Sequence, residues 1–241
     1  DPVTAMTLVG KADVCPYNIA GAGGIDDRNV YERCEGLRDR TRGLVDEETT
    51  AASLVENATS QQIGLADSGS GATYLEAADE PTPYPTDTPE TGAGGTEYCP
   101  FYAQYLDDLP EDGDPREAVP FDPTDHGLLE TDDLVRLAAG RGSCPHSVMG
   151  ALLPSVEVLV GNYYHAFDPT TVESFTGGLI DESTFVVCDE AHMLEPRVRD
   201  LVGDDVSDRA LSDAETELSR VIEPLAAVEE GGAGTTHGSE A

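Results

Sequence analysis

The sequence predicts an α/β fold in which short buried strands are covered by helices. Three observations carry this expectation. Residues 156–161, VEVLVG, and 184–188, TFVVC, are apolar runs of strand length separated by a polar connection, as in neighbouring strands covered on both faces. Residues 29–45, 131–153 and about 207–228 instead space their apolar residues for helices. Between these textures lies an acidic stretch, residues 43–98, without one Lys or Arg.

Taken in order, AMTLVG at 5–10 can form a strand, whereas residues 16–30, rich in Gly, Ala and Asn, give no firm element. The helix expected over 29–45 puts Val30, Cys34 and Leu37 on one side. The stretch that follows, with SGSGAT and PTPYPTDTPETGAGG, holds too little apolar surface for its own core and is expected to be largely a solvated insertion. Leu54, Val55, Ile63 and Leu65 are the residues in it able to dock on a neighbour. Order returns at 96–109, where Phe101, Tyr105 and Leu106 sit at helical offsets. In 131–153, Thr131 can cap a helix striped by Leu134, Leu137 and Ala138; Gly140 and Gly142 end it, and Pro145 opens the next. Past Pro196 the pattern is helical again. Ser207 is a candidate cap, Leu211, Leu218, Ile222 and Leu225 face one way, and residues 231–241 read as a flexible tail. That bare stripe calls for a partner helix, and with Asp1 as the first residue the chain is expected to be part of a longer product.

Asp and Glu number 48 against 13 Lys and Arg, a formal charge of -35, and Lys11 is the single lysine. Such a chain repels itself and nucleic acid in dilute buffer, but at molar salt the screening length falls to roughly 3 Å. The acids are spread through every pattern, which fits the cytoplasm of a salt-adapted cell. No run of eighteen apolar residues and no signal-like N-terminus is present, so the expected location is cytoplasmic with no membrane partner. Any nucleic-acid contact must come from local basic and aromatic residues rather than a global field.

Cys15, Cys34, Cys99 and Cys144 are separated by 18, 64 and 44 residues, with no CxxC pair. That spacing leaves three readings open: scattered buried thiols, a tetrahedral zinc site, or a [4Fe-4S] cluster. Cys99 and Cys144 each precede a proline and open an amphipathic helix, and a thin core would profit from a metal staple. Cys188, among Phe185, Val186 and Val187, reads as core.

A buried strand ending at Cys188 would deliver Asp189 and Glu190 to the carboxyl edge of a sheet, where chemistry collects in parallel α/β folds. The first acid suits Mg²⁺ held through water, the second an attacking water, and His192 a link to a neighbouring element. The counterpart is missing. No G-x-x-x-x-G-K-[ST] loop occurs, and LVGKADV lacks both the first glycine and the hydroxyl. This chain alone is not expected to bind ATP tightly or turn it over.

At this point the residues resemble a known family. FVVCDEAHMLE is similar to motif II of DEAH helicases. TDDLVRLAAGRGSCPHSVMGALLPSVEVLVGNYYHAFDP, YCPFYAQY and MTLVGKADVC resemble the flanking segments of XPD-like (Rad3-related) iron–sulfur DNA helicases, here of haloarchaeal type. The resemblance implies part of a RecA-like helicase domain 1, an inserted 4Fe-4S cluster domain and the beginning of a helical arch domain. Its boundaries would be 1–14 for a first RecA-like strand segment and 15–144 for the cluster domain with its acidic insertion at about 41–95. The RecA-like segment with the DEAH motif would follow at 145–197, the start of the arch at 198–230 and the tail at 231–241. It assigns Cys15, Cys34, Cys99 and Cys144 to the cluster. Asp189, Glu190 and His192 become catalytic, with the two acids facing Mg²⁺ and ATP in the complete helicase. Lys11, four before the first cysteine, Arg141, and Tyr163 with Tyr164 and His165 become DNA contacts.

The implied function is a fragment of an ATP-dependent 5′–3′ DNA helicase acting in DNA repair. Its partners would be single-stranded or forked DNA, the missing helicase domains and other repair proteins. The alternative is a non-enzymatic, metal-stapled module that binds single-stranded DNA or a protein. The long interval between the second and third cysteines, and the missing phosphate loop, motifs III to VI and second motor domain, depart from the family pattern.

Overall fold

Ala5–Thr7 forms β1, the middle of a three-stranded parallel sheet with β4 (Leu128–Leu129) on one side and β5 (Val158–Val160) on the other. Ala5 stands opposite Leu128 and Val158, and Met6 opposite Leu129 and Leu159. The two-residue side-chain period turns Met6 and Leu129 into the core. A separate antiparallel pair, β2 (Glu90–Thr91) and β3 (Thr96–Glu97), follows the long helices. The computed structural model describes residues 3–47, 49–66, 87–91, 95–203, 209 and 211–220.

Helices supply most of the rest: α1 (Lys11–Val14), α2 (Pro16–Ala20), α3 (Val30–Glu47), α4 (Ala51–Ala66), α5 (Pro100–Asp108), α6 (Thr131–Ala139) and α7 (Pro145–Leu152). Two short helices, α8 (Tyr163–Phe167) and α9 (Pro169–Thr171), precede α10 (Leu194–Val202). Cys15, Cys99 and Cys144 are the N-caps of α2, α5 and α7, each with proline at the first helical position. Proline fits there because that N–H has no partner inside a helix. Glu130, not Thr131, caps α6. At its other end Gly142, at φ 77°, and Ser143 return their amides to the Ala139 and Ala138 carbonyls at 2.9 and 3.0 Å, a Schellman closure that needs the left-handed residue. Leu37 and Leu44 of α3, Phe101 and Tyr102 of α5, Leu134 and Ala138 of α6, and Val148, Met149 and Leu152 of α7 form one buried cluster.

The acidic stretch is less solvated than its composition suggests. Within it α4 buries Leu54 and Ala58 and half-buries Val55. The Tyr98 hydroxyl donates to the Leu54 carbonyl at 2.8 Å and accepts from Asn57 Nδ2 at 3.0 Å. The side chains of Ile63 and Leu65, and residues 67–86, lie outside the described residues.

One buried hydroxyl ties α3 to the start of α5. Buried Thr41 donates Oγ1–H to the Leu37 carbonyl at 2.6 Å and accepts the Cys99 amide at 3.0 Å. Thr41→Val keeps the shape but leaves that amide unsatisfied. The expected loss is about 1–2 kcal/mol, read as a lower urea midpoint in high-salt buffer with an unchanged slope.

Two expectations are corrected here. Residues 184–188 belong to no strand or helix, with Phe185 90% and Val187 79% exposed. An apolar run becomes a strand only when a ladder partner satisfies its backbone, and β5 pairs with β1 alone among the described residues. Cys188 is accordingly half-buried rather than core. The RecA-like domain with an inserted 4Fe-4S cluster domain and the beginning of a helical arch is likewise replaced. What forms is a partly helical domain with one small parallel and one small antiparallel sheet, and no group of three or more His, Cys, Asp or Glu among the described residues could hold a metal ion to organise an inserted cluster domain.

By contact density the chain divides into Asp1–Asp189 and Glu190–Ala241. In the second unit α10 is followed by a helical segment over 211–220 that exposes Leu211 and Leu218. Ser207, Ile222, Leu225 and the tail lie outside the described residues. No helix among the described residues is long and apolar enough to cross a membrane.

Candidate functional site: a basic and aromatic cleft in the first unit

Segments far apart in sequence converge on a cleft of about 890 Å³. Lys11 of α1, Tyr31 and Arg38 of α3, Tyr105 of α5, His146 of α7 and Tyr164 of α8 line it. The helical geometry of α3 explains part of this: Tyr31, Glu35 and Arg38 are four and three residues apart, so they share a face. Asn162 caps α8 by accepting the Tyr164 amide at 3.0 Å, which fixes the backbone from which Tyr164 projects. The Tyr164 ring is 57% exposed and open to a ligand.

The electrostatics are local. Lys11 Nζ pairs with Glu35 at 3.1 Å, the lysine mostly buried and the acid exposed. Asp13 holds the Gly10 amide at 3.2 Å. Arg38 lays its guanidinium over the Tyr102 ring, 4.4 Å from its centre, while Arg42 lies 5.2 Å from that centre and donates Nε–H to the Tyr102 hydroxyl at 2.8 Å. Burial, then the cations Arg38 and Lys11, push His146 down to about 4, so it is neutral at physiological pH and packs against Phe175. Burial also lowers His165 and raises Tyr105.

Of the residues expected to touch DNA, Lys11 lies in the cleft. Arg141 stands exposed between α6 and α7. Tyr163 is half-buried, stacks at a tilt on Phe167, and donates its hydroxyl to the Asp189 carbonyl. Asp189 closes the first unit and Glu190 opens the second. Glu190 takes a left-handed backbone, φ 46° and ψ 43°, the one positive φ outside glycine among the described residues. The turn Ala191–Met193 follows, with Met193 donating its amide to the Glu190 carbonyl at 2.7 Å. Asp189, Glu190 and His192 are all exposed.

The four cysteines come within electrostatic reach of one another: Cys15, Cys34 and Cys99 each feel Cys144. They do not make a metal centre. No group of three or more His, Cys, Asp or Glu among the described residues could hold a metal ion. Burial first, and then the neighbouring thiols, pushes Cys15 up to about 12 and raises Cys34 and Cys99. What decides the assignment is that no metal-holding group is found among the described residues. The assignment of Cys15, Cys34, Cys99 and Cys144 to a 4Fe-4S cluster is therefore corrected. With it go the cofactor set of that cluster with Mg²⁺ and ATP, the iron–sulfur helicase reading of the fragment, and its metal-stapled alternative.

Sequence reasoning passed over Tyr31 and Arg38. The signal available was their helical offset from Cys34 on α3, which shows a shared face but not what the face meets. No curated protein and no solved structure matches the chain. Residues 74–211 match the DEAD_2 family, from within the acidic stretch to beyond α10. That match covers more than half of the 241 residues, and the chain belongs to the DEAD_2 family.

Proposed function

We propose that this chain is a helicase-associated domain whose first unit holds single-stranded nucleic acid in the cleft. The observation that carries the reading is the convergence of one lysine, one arginine and three tyrosines from four helices on a single open wall. Bases stack on aromatic rings without regard to sequence, and cations meet the backbone between them. A formal charge of -35 gives no long-range attraction, so affinity would rest on these short-range contacts.

Lys11 would serve the strand from inside the cleft and Arg141 from the exposed turn outside it, with single-stranded or forked DNA as the partner. Tyr163 would hold the chain at Asp189 beside Tyr164. Asp189 would offer a carboxylate from the first unit, and Glu190 and His192 a carboxylate and an imidazole from the second. Other helicase domains or repair proteins would be the protein partners, in the cytoplasm of a salt-adapted cell, as the acidic composition suggests.

The test is fluorescence anisotropy with labelled oligothymidylate in the high-salt buffer that keeps the chain folded. Tyr164→Ala is expected to weaken binding about tenfold, since one stacked base contributes roughly 1–3 kcal/mol. Folding should be unaffected, because the ring is exposed. A wild-type chain that binds no single strand, or a Tyr164→Ala chain that binds equally well, overturns the reading.

A further inference from the structure

We propose that Arg38 and Ser147 form a phosphate seat in the cleft, taking one phosphate of the bound strand. Among the described residues, two buried polar atoms of the cleft-lining side chains lack hydrogen-bond partners: Arg38 Nε and Ser147 Oγ. Both can donate, and each is a buried orphan on a residue that lines the cleft. A guanidinium and a hydroxyl that line one cleft suit a phosphate oxyanion, because the planar fork can meet two oxygens.

The ion pairs point the same way. Arg28, Arg33, Arg40, Arg42, Arg116, Arg136 and Arg199 each have a carboxylate within 3.5 Å. In a protein with 48 acidic residues that is unsurprising. No carboxylate pairs with Arg38 among the described residues; its neighbours are the Cys144 and Cys34 thiols and the Tyr102 phenol, with which it also shares a hydrogen bond. The acids of the cleft are engaged elsewhere, Glu35 with Lys11 and Asp13 with the Gly10 amide. Tyr102 fixes the guanidinium plane, and Ser147 sits in the first turn of α7. The positive charge is thus held in place without a carboxylate partner among the described residues.

This inference rests on the strand-binding reading only for what carries the phosphate. A phosphodiester and a free phosphate share the chemistry, so both are tested. The full chain is titrated in high salt with labelled oligothymidylate and oligodeoxyadenylate, and separately with thymidine monophosphate and inorganic phosphate by calorimetry. Arg38→Met keeps an unbranched aliphatic side chain and removes the guanidinium that lies over Tyr102. It should weaken both oligonucleotides by the same factor, about tenfold, because a phosphate contact is blind to base identity. Ser147→Ala should weaken both about threefold, and Arg38→Lys should restore part of the loss.

Equal binding by wild type and Arg38→Met overturns the seat while the strand reading stands. Binding of free phosphate that Arg38→Met abolishes, without binding of either oligonucleotide, leaves the seat and overturns the strand. A loss in Arg38→Met that merely tracks unfolding by circular dichroism, with Ser147→Ala unchanged, also overturns the seat.

Discussion

Phe101→Ala is expected to destabilise the chain by about 3–5 kcal/mol, the range for emptying a buried aromatic site. The ring is 1% exposed and meets Tyr17 edge-to-face, with centroids 5.7 Å apart and planes at 81°. The substitution therefore removes both buried area and a preferred aromatic geometry. Collapse around the cavity is restricted because α5 is tied at its start: Thr41 holds the Cys99 amide, and Tyr98 is bonded to α4. Folded domains are stable by only about 5–15 kcal/mol, so this one change consumes a large share. Urea unfolding in high-salt buffer would show a much lower midpoint, and Phe101→Leu should recover most of the loss. A cost below about 1 kcal/mol would mean that α5 does not fold cooperatively with α2.

The second large effect is tied to pH. Arg33 donates to both Glu97 carboxylate oxygens at 2.9 and 3.1 Å, Thr88 at 2.8 Å, and Arg40 at 3.5 Å. These partners, Arg33 foremost, hold the Glu97 carboxyl down at about 2 against an ordinary 4.5. Because the folded value lies below the unfolded one, the stabilisation is complete above about 4.5 and disappears as pH falls through about 2. At face value the shift corresponds to roughly 3 kcal/mol. With the side chain 32% exposed, solvent screening reduces this to about 1–2 kcal/mol. Glu97→Gln should lose that amount at neutral pH and show a shallower acid decline than wild type over the same window. The difference between the two curves is the readout, since every other carboxylate titrates in both proteins. Parallel curves would show that the arginines do not depend on this carboxylate.

The two predictions concern neighbouring residues of 96–109, where the sequence predicts order to return after the acidic stretch. Glu97 lies within the arginine-free stretch, yet it receives Arg33 and Arg40 from α3. The absence of basic residues in a segment therefore says nothing about whether distant ones reach it. The helices were legible because their periods are local: Val30 and Leu37, Leu134 and Ala138, and the proline after Cys144 each report a face or a start within a few residues. Residues 184–188 show the limit. Their β-branched and aromatic pattern describes a capacity to pair, and pairing is decided by a second segment.

The sequence by itself determined the helical faces, the proline-led helix starts, the acidic balance and the order of the polar residues along the chain. The tertiary structure decided which of those faces meet. It brought Lys11, Arg38 and Tyr164 to one cleft, left Phe185 and Val187 exposed, and gathered four thiols without making them a metal site. Periodicity is a property of neighbours within a few residues, whereas a site is a property of residues brought together across the chain, and only packing supplies that.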